Sequence, residues 1–188
     1  MGLFDRFKKP AAPPPRALSP LLGELIGRYG LKRTDSPEDA GLGGEWSEGR
    51  YEGRLIAFDE RGRNLFLYLG EPAEVTEIYL VAASPGESQA LADTRRQIER
   101  IGGAEGTALA ARFRLGASPS GDRFDIPALR LPALREGLPR LSASVREVSI
   151  FDNLGGLALT LDDAATLDSI AADLDIAHAA LRALAAEG

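Results

Sequence analysis

A single histidine, His178, stands in a chain of 188 residues that has no cysteine, 28 acidic residues and 22 lysines and arginines. Thiolate nucleophiles, disulfides and sulfur-bound zinc are therefore excluded, and any chemistry must come from His178, carboxylates, hydroxyls or guanidinium groups. His178 follows Ala177 at the margin of an apolar helical stripe and reads as a structural residue rather than a general base or metal ligand. The segment GASPSG (116–121) places Ser120 where the closing glycine of a nucleophile elbow belongs. GLGGEW (41–46) places Trp46 where a dinucleotide loop needs its third glycine, and no phosphate-cradling G-x-x-x-x-G-K-[ST] run occurs. Asp162, Asp163 and Asp168 cluster at the start of the last helix, where acids complement the helix dipole, and their spacing matches no calcium loop. The expectation is a non-enzymatic protein with no cofactor, no metal site and no catalytic residue.

Arginines supply one candidate for binding. Arg50 and Arg54 flank Glu52 on an expected strand, and Arg112 and Arg114 alternate with Phe113 and Leu115 on another. If both strands expose the same side, the four form a shallow patch for an anionic ligand or an acidic partner. The competing expectation is a solvated sheet face of mixed charge. Trp46 and Tyr51 bracket the start of the first strand and read as cover for the sheet edge.

The other candidate lies in the opening MGLFDRFKKP. If residues 2–9 are helical, Leu3, Phe4 and Phe7 fall within an arc of ~100°, with Arg6 and Lys8 on its flanks and Lys9 following. That is the layout of a small tether for a membrane surface or a partner. Burying three such side chains yields ~5–8 kcal/mol, and each base near an anionic surface adds ~1 kcal/mol. Ordering eight residues costs ~1–2 kcal/mol each, so a single copy grips weakly and reversibly. Arg6 occupies the position where a myristoylation signal needs serine or threonine.

These residues need elements to hold them. Hydrophobic residues at 44% and charged residues at 27% are values of an ordinary globular domain. Residues 1–9 read as a short basic amphipathic segment, 10–17 as a proline-rich linker, and 18–188 as a single domain. Arg6, Lys8, Lys9 and Arg16 against Asp5 give the first sixteen residues a net charge of +3 in a chain whose total is −6. The acidic body disfavours nucleic acid. No apolar run approaches the ~18 residues of a membrane span. The opening lacks the apolar core and cleavage site of a secretory signal, so the expected address is the cytoplasm, with peripheral contact at the inner membrane. The excess of arginine over lysine, with abundant alanine, resembles translation of a GC-rich bacterial genome.

Ser19-Pro20 opens a first helix whose stripe is Leu21, Leu22, Leu25, Ile26 and Tyr29, closed by Gly30. Residues 34–49 read as a loop, and 50–58, 64–70 and 75–83 as three strands of a meander. Ser84 to Glu87 has capping-box spacing before a helix ended by Gly102-Gly103. ALAARFRLG (108–116) reads as a fourth strand, and prolines shorten any helix in 127–141. Residues 145–151 and 156–161 form a hairpin, and Leu167, Ile170, Leu174, Ala177, Leu181 and Leu184 mark the strongest helix. The expected fold is α+β: an antiparallel sheet of about five to six strands with helices on one face, in the order α-βββ-α-β-(short α)-ββ-α.

The element series α-βββ-α-ββ-α within this order is similar to the type III secretion chaperone-like architecture. The resemblance is one of topology across residues 18–188. It implies a small acidic adaptor, often dimeric. The expected function is thus a cytoplasmic binding or accessory protein that presents a sheet face or helix groove to a protein partner, or to a second copy of the chain. The alternatives are a chaperone-like adaptor, and a small-molecule binder or hydrolase without a recognisable motif.

Overall fold

A computed structural model describes residues 19–35, 45–59, 63–68, 77–116, 126–151 and 155–187. Helix α1 (Pro20–Tyr29) starts as its sequence dictates: the Ser19 hydroxyl accepts the Leu22 amide at 3.2 Å, and Gly30 closes the helix at φ 62°. Leu22 and Leu25 are its buried residues. Four strands follow, β1 (Lys32–Asp35), β2 (Glu45–Tyr51), β3 (Arg54–Asp59) and β4 (Asn64–Tyr68). β5 (Glu77–Ala82), helix α2 (Gln89–Arg112) and β6 (Phe113–Leu115) come next. Short α3 (Pro132–Arg135) lies between 3-10 turns at Ile126–Arg130 and Leu138–Arg140. The chain ends in β7 (Val145–Phe151), β8 (Gly156–Leu161) and α4 (Leu167–Glu187).

The fold is α+β, and its sheet has eight strands in the order β1-β2-β3-β4-β8-β7-β5-β6, with every adjacent pair antiparallel. Two strands beyond the expected number arise from one region. Residues 50–58, expected as one strand, contain a hairpin whose two central residues, Glu52 and Gly53, have φ of 49° and 79°. Positive φ at both positions is the geometry that matches strand twist in a two-residue turn. β2 thereby begins within the expected loop and carries Trp46, paired on its other side with β1. The third expected strand, β5, leaves the meander and lies between β7 and β6.

The second correction concerns α2. Residues 108–112, expected as strand, are helical, and Arg112 is the last residue of the helix. Gly102-Gly103 does not end the helix but coincides with a reversal of the chain. A straight helix over these 24 residues would be ~36 Å long. Yet Arg114 Nε lies 2.9 Å from Glu87 Oε1, and the Leu115 amide donates to Thr94 Oγ1 at 3.0 Å. The two arms of α2 therefore fold back on each other. They touch at Gly106, where an added Cβ would stand 2.9 Å from the Ile98 carbonyl oxygen. The helix actually opens at Ser88, whose hydroxyl accepts the Leu91 amide, four residues past the expected cap.

The main core lies on one side of the sheet. Ile56, Phe58, Leu65, Leu67, Val148, Ile150, Leu157 and Leu159 of the strands meet Leu22 and Leu25 of α1, Ile98 and Leu109 of α2, and Ile170, Leu174 and Leu181 of α4. α4 lies against the central strands β4 and β8. Each fully buried leucine at this interface contributes ~1.5–3 kcal/mol.

Glycine at two helical positions has opposite consequences. Gly23→Ala in α1, where nothing lies within 4 Å, is expected to stabilise by ~0.5–1 kcal/mol through helix propensity. Gly106→Ala gains the same propensity but drives a methyl into a backbone oxygen, and a net loss of ~1–3 kcal/mol is expected. Urea denaturation of the two variants measures both signs.

Candidate interaction face

The four arginines expected to share a patch do not meet. Arg50 is on β2 and Arg54 on β3, while Arg114 is on β6 at the opposite edge. Six strand spacings, ~29 Å, separate β2 from β6. Arg50 is exposed and donates to the Gly53 carbonyl of its own turn at 3.2 Å. Arg114 is buried; it pairs with Glu87 just ahead of α2 and donates to the Ala110 and Phe113 carbonyls, tying the start and the end of the helical segment together. Arg112 points into the protein, where its guanidinium donates to the carbonyls of Pro139, Leu141 and Ser142. Leu3, Phe4, Phe7, Lys8 and Lys9 lie outside the described residues, as do the proline linker and residues 41–44 and 117–121 of the two glycine-containing segments.

His178 lies on α4, where its ring meets the Tyr51 ring edge-on, with centroids 6.0 Å apart. Tyr51 in turn meets Tyr29 and donates its hydroxyl to Asp175. Burial, with the charges of Arg54 and Arg182, holds the imidazole below its usual pKa. Burial and the Asp175 contact push the Tyr51 phenol far above its own. A neutral imidazole and a protonated phenol make this cluster an aromatic joint between α1, β2 and α4. Among the described residues no group of three or more potential ligands is placed to hold a metal ion.

A feature the sequence reading missed lies on the sheet face away from the helices. Antiparallel register places directly opposed residues on one face, so rows can be followed across the strands. One row runs Glu48, Ala57, Phe66, Ala158, Ser149 and Tyr79. The next contains Arg50, Leu55, Gly156, Phe151 and Glu77, with Tyr68 beside Gly156. Trp46, Ala57, Phe66 and Ala158 form a second apolar cluster, against which Tyr68 and Phe151 pack half-buried. Every member of this cluster comes from a strand. Trp46 leans on Phe66 with centroids 5.0 Å apart, and its indole N–H donates to Glu48 at 2.6 Å. Tyr68 stacks on Phe66 at 6.4 Å.

Small residues stand at the middle of the rows with aromatic residues beside them, and Trp46, Ala57, Phe66 and Ala158 are buried. The charged residues of this face are mixed: Glu48, Asp59, Glu77 and Glu147, with Lys32, Arg50 and Arg114. Tyr79 donates to Glu147 at 2.7 Å, and burial together with that bond pushes its phenol up to about 12. The alternation of Trp46, Glu48 and Arg50 was the available signal, but residues 45–49 carry two acids and a glycine that read as loop.

Two concavities lie elsewhere on the molecule. A groove of about 360 Å³ between α3 and α4 is lined by Pro132, Gly137, Arg140, Asp175, Ile176 and Ala179. A polar hollow of about 420 Å³ lies over Arg114 and the first arm of α2, with acids and arginines in near balance. Among the described residues no helix is long and apolar enough to cross a membrane.

Deepest of the polar groups is Asp173 on α4, with no exposed surface. It accepts the Ser142 amide at 2.6 Å and the Ser142 hydroxyl at 2.7 Å. Burial raises its pKa above 3.8, outweighing those bonds and the charge of Arg112. The native state thus binds this proton more tightly than the unfolded chain. The ionised form costs stability as pH rises from 3.8 through the raised value, and the cost is relieved as pH falls through the same window. Asp173→Asn removes the charge, keeps one carbonyl oxygen for the Ser142 amide, and can hold the Ser142 hydroxyl only with the bond reversed, Nδ2 donating to the hydroxyl oxygen. Lowering the pH through that window should therefore stabilise the native protein relative to Asp173→Asn. Asp173→Ala should lose ~2–3 kcal/mol at neutral pH by stranding the Ser142 donors. Guanidinium denaturation across the acid range measures both.

No protein-family model, no curated protein sequence and no solved structure matches this chain.

Proposed function

We propose that this protein is a non-enzymatic binding or accessory protein that uses the second face of its sheet to dock a protein partner. The observation that carries the reading is the strand-only cluster of Trp46, Ala57, Phe66 and Ala158, edged by half-buried Tyr68 and Phe151. Aromatic residues give a docking surface large contact area at small entropic cost, and they are enriched at interface centres. The half-buried rings of Tyr68 and Phe151 at the cluster's edge are the part that a partner would reach.

A chaperone-like adaptor role is a narrower form of the same reading. It draws on the element order β2-β3-β4-β8-β7, which places a C-terminal hairpin beside an N-terminal meander. Architecture alone does not assign a role, so the face carries the proposal.

Tyr68→Ala and Phe151→Ala are each expected to weaken capture of the partner by ~30-fold, the equivalent of ~2 kcal/mol at a hot spot. The control is Arg182→Glu on the helical side, which should leave capture unchanged. Quantitative affinity purification from the native host, with circular dichroism to verify folding, makes the measurement. Equal capture by all the variants overturns the reading.

A further inference from the structure

Arg114 and Glu87 are the two most enclosed charged residues lining the polar hollow beside β6, and their ion pair is only half made. An arginine and a carboxylate frequently meet through two parallel bonds. Here Arg114 Nε donates to Glu87 Oε1 at 2.9 Å, while Glu87 Oε2 is enclosed with no donor among the described residues. Arg114 Nη1 is taken by the Ala110 and Phe113 carbonyls, and Nη2 has no acceptor among the described residues. A free acceptor and a free donor thus stand on neighbouring side chains, and an enclosed polar atom without a partner calls for one.

We propose that this hollow binds a small zwitterion of the α-amino acid class, its carboxylate on Arg96 and Arg114 Nη2 and its ammonium on Glu87 Oε2. The charges of the lining carry the choice. Three acids and three arginines line the hollow, so it is neutral overall and suits a ligand that is neutral overall and bears both signs. Most of these groups already have partners. Arg95 Nε lies 2.9 Å from Glu99 Oε1, and Asp93 accepts the Gln89 amide at 2.9 Å. Arg96 is exposed and has no partner among the described residues. The free guanidinium selects a carboxylate, and the orphaned Glu87 oxygen selects a hydrogen-bond donor. The terminal torsion of glutamate is soft, so Oε2 can turn toward the hollow without a backbone movement.

Size and polarity agree with that class. The hollow measures about 420 Å³, within the range of small-molecule sites. Ala92 is the one apolar residue among those lining it, so the ligand's own side chain is polar. No residue of this site belongs to the Trp46 cluster, and the inference therefore stands apart from the partner reading.

The test titrates the isotopically labelled full chain with L-serine, L-threonine, L-asparagine and L-glutamine, and follows backbone amide shifts. At least one of the four should give saturable shifts among residues 87–99, with Kd on the order of 0.1 mM. Acetylating its amine or amidating its carboxylate should each weaken binding about tenfold or more, because each removes a charge-assisted bond. Arg96→Gln changes an exposed side chain without a partner, so the fold is kept, and it too should weaken binding about tenfold. Arg100→Gln, on the same helix but outside the hollow, should bind as the parent does. Glu87→Gln keeps an oxygen for Arg114 Nε and puts an amide donor where Oε2 stood. In that variant the penalty for acetylation should disappear, a signature that a merely structural role would not give.

No saturable shift from any of the four at concentrations on the order of 10 mM overturns the proposal. Undiminished binding by Arg96→Gln does the same, as do shifts confined to residues outside the hollow. Equal affinity for an amino acid and its acetylated form overturns it in favour of a plain anion site.

Discussion

A guanidinium and a carboxylate converge on one short stretch of loop, and the rest of the sheet is registered from there. Arg112 ends α2 and donates to the carbonyls of Pro139, Leu141 and Ser142. Asp173 of α4 accepts from the amide and hydroxyl of Ser142. The stretch they hold is broken by prolines and can satisfy few of its own backbone groups. Each buried polar group left unmatched would cost ~1–3 kcal/mol. β7 begins at Val145, directly after this anchor, and β7 is the strand that joins β5 to β8. Two side chains thus set the starting point of the strand on which the continuity of the sheet depends. Asp173 bears the cost of burial in its raised pKa.

The two faces of the sheet follow from one alternation read twice. Leu157, Leu159 and Leu161 of β8 point to the helices, while Gly156, Ala158 and Thr160 point away. In β4, Leu65 and Leu67 face the core and Phe66 and Tyr68 the other side. Large aliphatic residues fill the space under the helices, and small residues beside aromatics form the second apolar cluster. The same strands therefore supply both faces, and a register slip of one residue would exchange the two.

Local signals were legible from the residues and distant ones were not. The Ser19 cap, the Gly30 stop, the hairpin of β7 and β8 and the stripe of α4 all depend on neighbours within a turn or two. The turn at Glu52-Gly53 was hidden because glutamate rarely adopts positive φ, and only the glycine after it marked the spot. Residues 108–112 looked like a strand because arginine alternates with phenylalanine and leucine just beyond. The alanines before them favour helix, and packing of the two arms of α2 decided the matter. Arg112 and Arg114 were misplaced as surface groups because the acceptors of Arg112 and the ion-pair partner of Arg114, Glu87, lie 27 or more residues away in sequence. Trp46 was taken as an edge cover, whereas it belongs to a face visible only once β2, β3, β4 and β8 are in register.

Strand order also governs how the chain can be made. β1 to β4 form a continuous run by residue 68, and β5 and β6 are complete by residue 115. Neither unit pairs with the other; β8 and β7 stand between them. Until the ribosome releases residues 145–161, β4 and β5 each present an open row of backbone donors and acceptors, and the apolar side chains of both lack α4. Two unpaired edges with exposed leucines are the ingredients of misassembly between nascent chains. The hairpin is the only described element that pairs with both β4 and β5, so continuity of the sheet depends on it. Truncation ahead of Val145 would remove the piece that unites the two halves.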